Sequence, residues 1–443
     1  MLKTLPPAVR LVVKGWLGIL VFYACGPAYF PFPEPELIVY LVLCFGVFLV
    51  GAKLAEGKTP FPQPPVSPAH GISDTSYRFL ALFSWITAAG AWVGLKLLTA
   101  TGRTFDTAIN KTGVVRQIVV EDLGLTSALA NMFGFLSFSC LFVCFLIEKT
   151  PKQRSVGRVA LLGSAVGAVA ILAFYIINVN RTAFLVLLAI PPSYMAIRHG
   201  EQARKVMRQL GLAVWLSIFA LFAGALTYII FIAVNRSAGA GENTEYVATY
   251  IPLKYRLGPL EDFDYNLANG IYKLVWYPTH QIDNLNRFLE EGVPLLDLHG
   301  ELTFRWLVLQ LSKAAPELND LAAGADERAI ETISRANVNP WEWFTGFGTL
   351  ILDFGVLGSL LAVAILGFWI VRTYRGYIGG SLLSGVLCFW LVFMGLMLII
   401  NYPIDNFIHS NIYILSACRV VEILVRPSRS SIPSDATTPP TSV

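Results

Sequence analysis

Two short triplets, Asn180-Arg181-Thr182 and Asn235-Arg236-Ser237, each set a guanidinium between an amide and a hydroxyl. Arginine offers five N–H donors in a rigid fork that matches phosphate oxygens, and the flanking groups add further donors and acceptors. Both triplets border apolar runs, so together they would hold a phosphorylated headgroup at one membrane face. The plainer reading of each is an arginine reaching from a helix end to the interface. Arg256, Arg287, Arg305, Arg328 and Arg335 follow in the polar stretch 235–344, and Arg256 adjoins Lys254 and Tyr255. Some of these pair with surrounding carboxylates. Arg256 and Arg335 are the stronger candidates for binding phosphate. Groups that could take a proton from a hydroxyl are His280, His299, Glu342 and Asp353. Pro278 is expected to end a helix just before His280, which would turn its ring into a cavity. Asp283, Arg305 and Asn411 would add polar lining. Asp262-Phe263-Asp264 has the spacing of a metal site, a spacing common by chance. Metalloprotease, nucleophile-elbow and phosphate-loop signatures are absent from the sequence.

The elements that must position these residues are membrane helices. The chain has 443 residues, 55% hydrophobic and 14% charged, with mean hydropathy +0.60. Soluble domains carry about one quarter charged residues. Apolar blocks of the length that crosses a bilayer fall at 11–31, 36–54, 79–100, 124–147, 157–178, 182–197, 210–234, 345–371, 382–401 and 406–424, ten spans in all. The first is too long for a signal-peptide core and is read as retained. Lys and Arg concentrate in alternate connections, 19 of them in one set of short segments. That bias puts both termini and this set in the cytoplasm and the long polar stretch outside. The six cysteines all lie in apolar blocks, which argues against a disulfide framework or a cysteine-ligated metal.

The expected organisation is therefore all-α and polytopic. Spans one to seven occupy 1–234, one large external loop with amphipathic helices occupies 235–344, spans eight to ten occupy 345–426, and a Ser/Thr/Pro-rich tail, read as disordered, occupies 427–443. The loop carries 9 Lys/Arg against 16 Asp/Glu, which is no nucleic-acid surface. Helical spacing over 262–289 and its Trp and Tyr residues suggest a segment lying flat on the outer leaflet. A second helical run is expected over Leu302–Leu311. A 110-residue loop is the size of a helical lid over an outward-opening cavity. Asp353 stands about two turns into the eighth span among Gly346, Gly348 and Gly355, where an acid is costly and normally faces a bundle interior.

Four segments resemble the bacterial oligosaccharide repeat-unit polymerases of the Wzy (O-antigen polymerase) type. They are Arg181-Thr182-Ala183-Phe184-Leu185; Trp276-Tyr277-Pro278-Thr279-His280-Gln281-Ile282-Asp283-Asn284; Gly300-Glu301-Leu302-Thr303-Phe304; and Thr345-Gly346-Phe347-Gly348-Thr349 running on to Asp353-Phe354-Gly355-Val356-Leu357-Gly358. Ten residues separate Arg335 from Gly346, as in an R-x10-G pattern of some members, and a second clear copy is lacking. The resemblance covers roughly 175–410 and implies a GT-C-like glycosyltransferase of the bacterial inner membrane. Such an enzyme moves a growing glycan from undecaprenyl diphosphate to a hydroxyl on a second lipid-linked repeat unit at the periplasmic face. It implies the bilayer and the lipid-linked donor and acceptor as partners, a flippase and a chain-length regulator as associates, and no nucleic acid or cofactor. The leaving diphosphate needs cations near it; Arg181, Arg236, Arg256 and Arg335 would supply them without a metal, and Asn180 would help bind it. His280 or Glu342 would orient the acceptor. Alternatives are an O-antigen ligase, disfavoured by the absence of a histidine at Trp341-Glu342-Trp343, a flippase or transporter, disfavoured by the absence of an internal repeat, and a membrane acyltransferase.

Overall fold

Trp16 shows how the bundle closes. Its ring is fully buried, packs on Phe45, Phe48 and Phe347, and donates Nε1–H to the carbonyl of Gly395 at 2.6 Å. One side chain near the N-terminus thus joins helices far apart in sequence. The computed structural model describes residues 5–26, 28–30, 32–57, 74–100, 102, 124–147, 153–177, 182–212, 215–216, 219–220, 222–228, 230, 258–263, 265–291, 300, 302–304, 328–335, 338, 345–400 and 406–425.

The helices are α1 (Pro7–Cys25), α2 (Pro35–Glu56), α3 (Asp74–Ala100), α4 (Gly124–Leu146), α5 (Arg154–Ile177), α6 (Thr182–Tyr194), α7 (Ala203–Gln209), α8 (Gly258–Phe263), α9 (Tyr265–Glu290), α10 (Gly346–Ile378), α11 (Leu382–Met397) and α12 (Asn406–Val425). Further helical residues lie within 212–230 and over 328–335, and no β-strand occurs among the described residues. Five helices, α1, α2, α3 (from Ser76), α5 and α10, are long and apolar enough to cross a membrane, and Ala130–Leu146 and Leu382–Met397 are shorter apolar helices. The protein is an all-helical membrane protein.

Local chemistry sets the helix ends. Pro7 occupies the first turn of α1, where its missing N–H is not needed, and Gly26 closes the helix; α1 therefore starts and stops earlier than the apolar run 11–31. Thr345 caps α10 by accepting from Gly348 N–H at 3.0 Å, and Ser381 caps α11 by accepting from Ser384 N–H at 3.2 Å. Pro191 and Pro192 sit inside α6, which gives way to a π-helical turn at Met195–His199. Two missing N–H groups leave carbonyls without helical partners, and a wider turn accommodates the mismatch.

Inter-helix contacts fix relative directions. Tyr40 Oη meets Ser359 Oγ at 2.9 Å, and Arg375 Nη1 donates to Ala55 O at 3.3 Å. Between these points the backbone passes so close that a Cβ on Gly51 would collide with Ala364 O, and one on Gly367 with Phe48 O. Helices α2 and α10 thus run parallel. Gly163 against Ser84 and Gly167 against Ala88 make α3 and α5 parallel. Gly90 against Phe133 and Gly94 against Ala130 make α3 and α4 antiparallel. Phe142 stacks on Phe389 at 4.5 Å and Leu146 meets Gly385, so α4 and α11 are antiparallel as well. Small residues at these seams replace the hydrophobic drive that lipid cannot supply.

Among the described residues, Arg10, Arg198 and Arg419, which the sequence assigns to one set of connections, lie at one end of the bundle. Arg10 pairs with Glu201, Arg198 donates to Leu146 O at the end of α4, and Arg419 pairs with Glu422 at 2.6 Å. The opposite end carries α9, the N-terminus of α10 and the turn around Gly300.

Candidate functional site

Asp353 organises that opposite end. Its side chain is fully buried. Oδ1 accepts from Leu302 N–H at 3.0 Å, and Oδ2 accepts from Thr303 N–H at 2.6 Å and from the Thr303 hydroxyl. A carboxylate that receives two peptide N–H groups and a hydroxyl is a strong anchor. The turn it holds is closed by Phe304 N–H donating to Gly300 O at 2.8 Å, and Gly300 adopts φ 89°. Phe304 meets Phe354 edge-on at 6.4 Å. Two of the segments that carry the family resemblance, Gly300–Phe304 and Thr345–Gly358, therefore interlock through one side chain.

The backbone breaks directly after Asp353. Gly355 has φ 67° and ψ 177°, non-helical values that split α10 into Gly346–Phe354 and Val356–Ile378. That region is essentially closed to residues with a Cβ. Phe347 N–H donates to Leu398 O at 3.3 Å, pinning the short segment to the end of α11. The expected span 345–371 is thus longer and interrupted. At 1.5 Å per residue, Val356–Ile378 alone covers about 34 Å, enough for the hydrocarbon core.

Helix α9 is continuous from Tyr265 to Glu290, which corrects the expectation that Pro278 breaks it. A proline inside a helix is costly, and both halves of α9 are anchored independently. Tyr272 donates its hydroxyl to Glu261 on one side, while Ile282, Leu285 and Phe288 enter the main core on the other. The ring of His280 consequently does not swing out into an open space. It is buried and lies parallel to Trp276, with centroids 3.7 Å apart and planes at 10°.

Nor does the second half of α9 lie as an isolated helix on a surface. Glu34 N–H donates to Asn286 Oδ1 at 2.8 Å, and Trp276 packs with Phe30 and Ala28, so α9 sits across the turn joining α1 and α2. Asp283 is buried and bonded to Arg287 by Nε at 3.1 Å and Nη2 at 2.9 Å. Burial raises its pKa above the usual carboxylate value, and the Arg287 charge opposes that shift.

The remaining candidates divide simply. Arg335 lies on the 328–335 helix, exposed and paired with Glu331. Asn411 is fully buried on α12. Asn180, Arg181, Arg236, Arg256, Arg305 and Glu342, like most of Leu302–Leu311, lie outside the described residues. The structure thus brings Asp353 together with Thr303, Asp283 together with Arg287, and Asn286 against the α1–α2 turn at Glu34. Thr303 as the partner of Asp353, and Glu34 as the partner of Asn286, were missed in the sequence, since no local spacing links positions 50 or 252 residues apart. Among the described residues no group of three His, Cys, Asp or Glu side chains is placed to hold a metal ion. Compared with known protein families, characterised proteins and solved structures, the chain matches none.

Proposed function

We propose that this protein is a membrane glycosyltransferase of the oligosaccharide repeat-unit polymerase type, with ten spans and the 235–344 segment outside the cytoplasm. The observation that carries the reading is the Asp353 anchor. It joins two of the four resemblance segments at the end of the bundle where α9, the third, is seated, opposite the basic end. The helix directions support the span count. Parallel α2 and α10 require an odd number of crossings between them, and α3, α4, α5, α6 and the 210–234 run supply five.

In the proposed reaction the acceptor hydroxyl oxygen bonds to the anomeric carbon of the donor glycan. The bond from that carbon to the diphosphate oxygen breaks, and its electron pair leaves with the diphosphate. Arg181, Arg236, Arg256 and Arg335 neutralise the leaving charge, and Asn180 adds a hydrogen-bond donor. The hydroxyl proton passes to His280 or Glu342 or to solvent. Asp353 acts as a positioning residue, because its oxygens are engaged by the Leu302–Thr303 peptide.

Reconstitution with a lipid-diphosphate repeat unit tests this. A ladder of products is expected, lost in folded Arg181→Ala. Single transfers to a different lipid would indicate a ligase instead. The interruption at Gly355 favours one second reading, since broken helices mark transporters. Movement of the lipid-linked glycan across the bilayer without bond formation would establish that reading.

A further inference from the structure

The second half of α9 is amphipathic, yet its polar face is buried. At about 100° per residue, Asp283, Arg287, His280, Asn284 and Gln281 fall on one arc of roughly 160°, interrupted only by Phe288, opposite Ile282, Leu285 and Leu289. Of the polar set only Arg287 is exposed; Gln281 is 0% and Asn284 6% exposed. A helix face shielded from water is normally apolar, and buried polar atoms are normally matched.

Here they are not. Among the described residues, Gln281 Nε2 and Oε1, Asn284 Nδ2 and Asp283 Oδ1 have no hydrogen-bond partner, and neither does the Tyr23 hydroxyl at the end of α1, which feels the Asp283 charge. The mixture is informative. Phosphate oxygens require donors and a metal cation requires acceptors. A sugar hydroxyl both gives and takes a hydrogen bond, and this set offers donors (the two amide nitrogens and the phenol) interleaved with acceptors (Gln281 Oε1 and Asp283 Oδ1).

We infer that the polar face of α9, with Tyr23, is a saccharide subsite that binds hydroxyls of the acceptor repeat unit, apart from the arginines that hold the diphosphate. This inference rests on the glycosyltransferase reading and names which part of its substrate α9 recognises.

The test uses the purified full-length chain and the lipid-linked repeat unit extracted from native membranes. Gln281→Leu and Asn284→Leu keep volume and remove the unmatched groups. If they bind sugar, each variant raises KM for the repeat unit about tenfold with kcat within about threefold, while thermal stability holds or rises. Unchanged KM in both variants overturns the subsite, and raised stability would then identify the amides as unmatched core groups. A second arm separates this inference from the reading beneath it. The repeat unit released from its lipid by mild acid is titrated against wild type and variants. Saturable binding lost in Gln281→Leu sustains the subsite even if wild type forms no polymer. Equal binding by wild type and variants overturns it even if polymer forms.

Discussion

At Asp353 a single carboxylate accepts donors from a peptide turn 50 residues earlier in the chain. Replacing it by asparagine sets an amide nitrogen against N–H groups, so Asp353→Asn should lose about 1–3 kcal/mol of stability. Thr303→Val, which removes one of the donors, should lose about 1 kcal/mol, and the double variant should fall short of the sum by more than 0.5 kcal/mol, roughly the limit of additivity for separate sites. Additive losses in thermal unfolding would show that the two side chains do not act together. Asp283 gives a prediction of opposite sense. Burial raises its folded pKa above an unfolded value of about 3.9, so the native state holds the proton more firmly. The contribution is fully present below that value and is lost as pH rises through the folded pKa. Asp283→Asn should therefore gain stability relative to wild type between pH 4 and pH 7. A constant difference across that range counts against the effect. The sequence showed that Asp353 was unusual, because an acid stood in an apolar run. It could not show that the acid's partner was Thr303, since pairing across 50 residues depends on the packed bundle.

Among the elements, the α2–α10 seam and the break in α10 are the sensitive features. Gly51→Leu or Gly367→Val forces a side chain into an opposing carbonyl and should cost about 1–3 kcal/mol or more. Gly18→Ala in α1 and Gly46→Ala in α2 meet nothing within 4 Å and should be neutral or slightly stabilising. Detergent-solubilised unfolding of the four variants compares them directly. Gly355→Ala meets a conformational barrier instead and should lose about 1–3 kcal/mol. Sequence periodicity located α2, α3, α5 and α12 to within a few residues, because apolar length alone sets them. It failed at Pro278, where tertiary anchoring on both sides keeps a helix whole. It also read Gly355 as a packing glycine, whereas its φ of 67° places it at a break.

At the scale of the whole molecule, the two ends of the bundle differ in what covers them. Arg10, Arg198 and Arg419 lie at one end and α9 at the other. Single cysteines at Arg204 and at Arg287, in a chain freed of its own six, should react with a membrane-impermeant thiol reagent from opposite sides of the cell membrane. Labelling of both from one side would contradict the proposed topology and, with it, the extracytoplasmic site. The alternation of basic connections was legible along the chain, and the labelling decides which side of the membrane each end faces.

The parallel partnership of α2 with α10 also has a consequence for synthesis. Tyr40 and Ser359 are 319 residues apart. At 5–20 residues per second, the ribosome takes roughly 15–60 s to make the distance between them. For that interval α2 has left the ribosome with the groove around Gly51 open, and Trp16 waits longer still for Gly395. A nascent chain stalled before residue 346 would be a half-closed bundle, the form most exposed to membrane quality-control proteases.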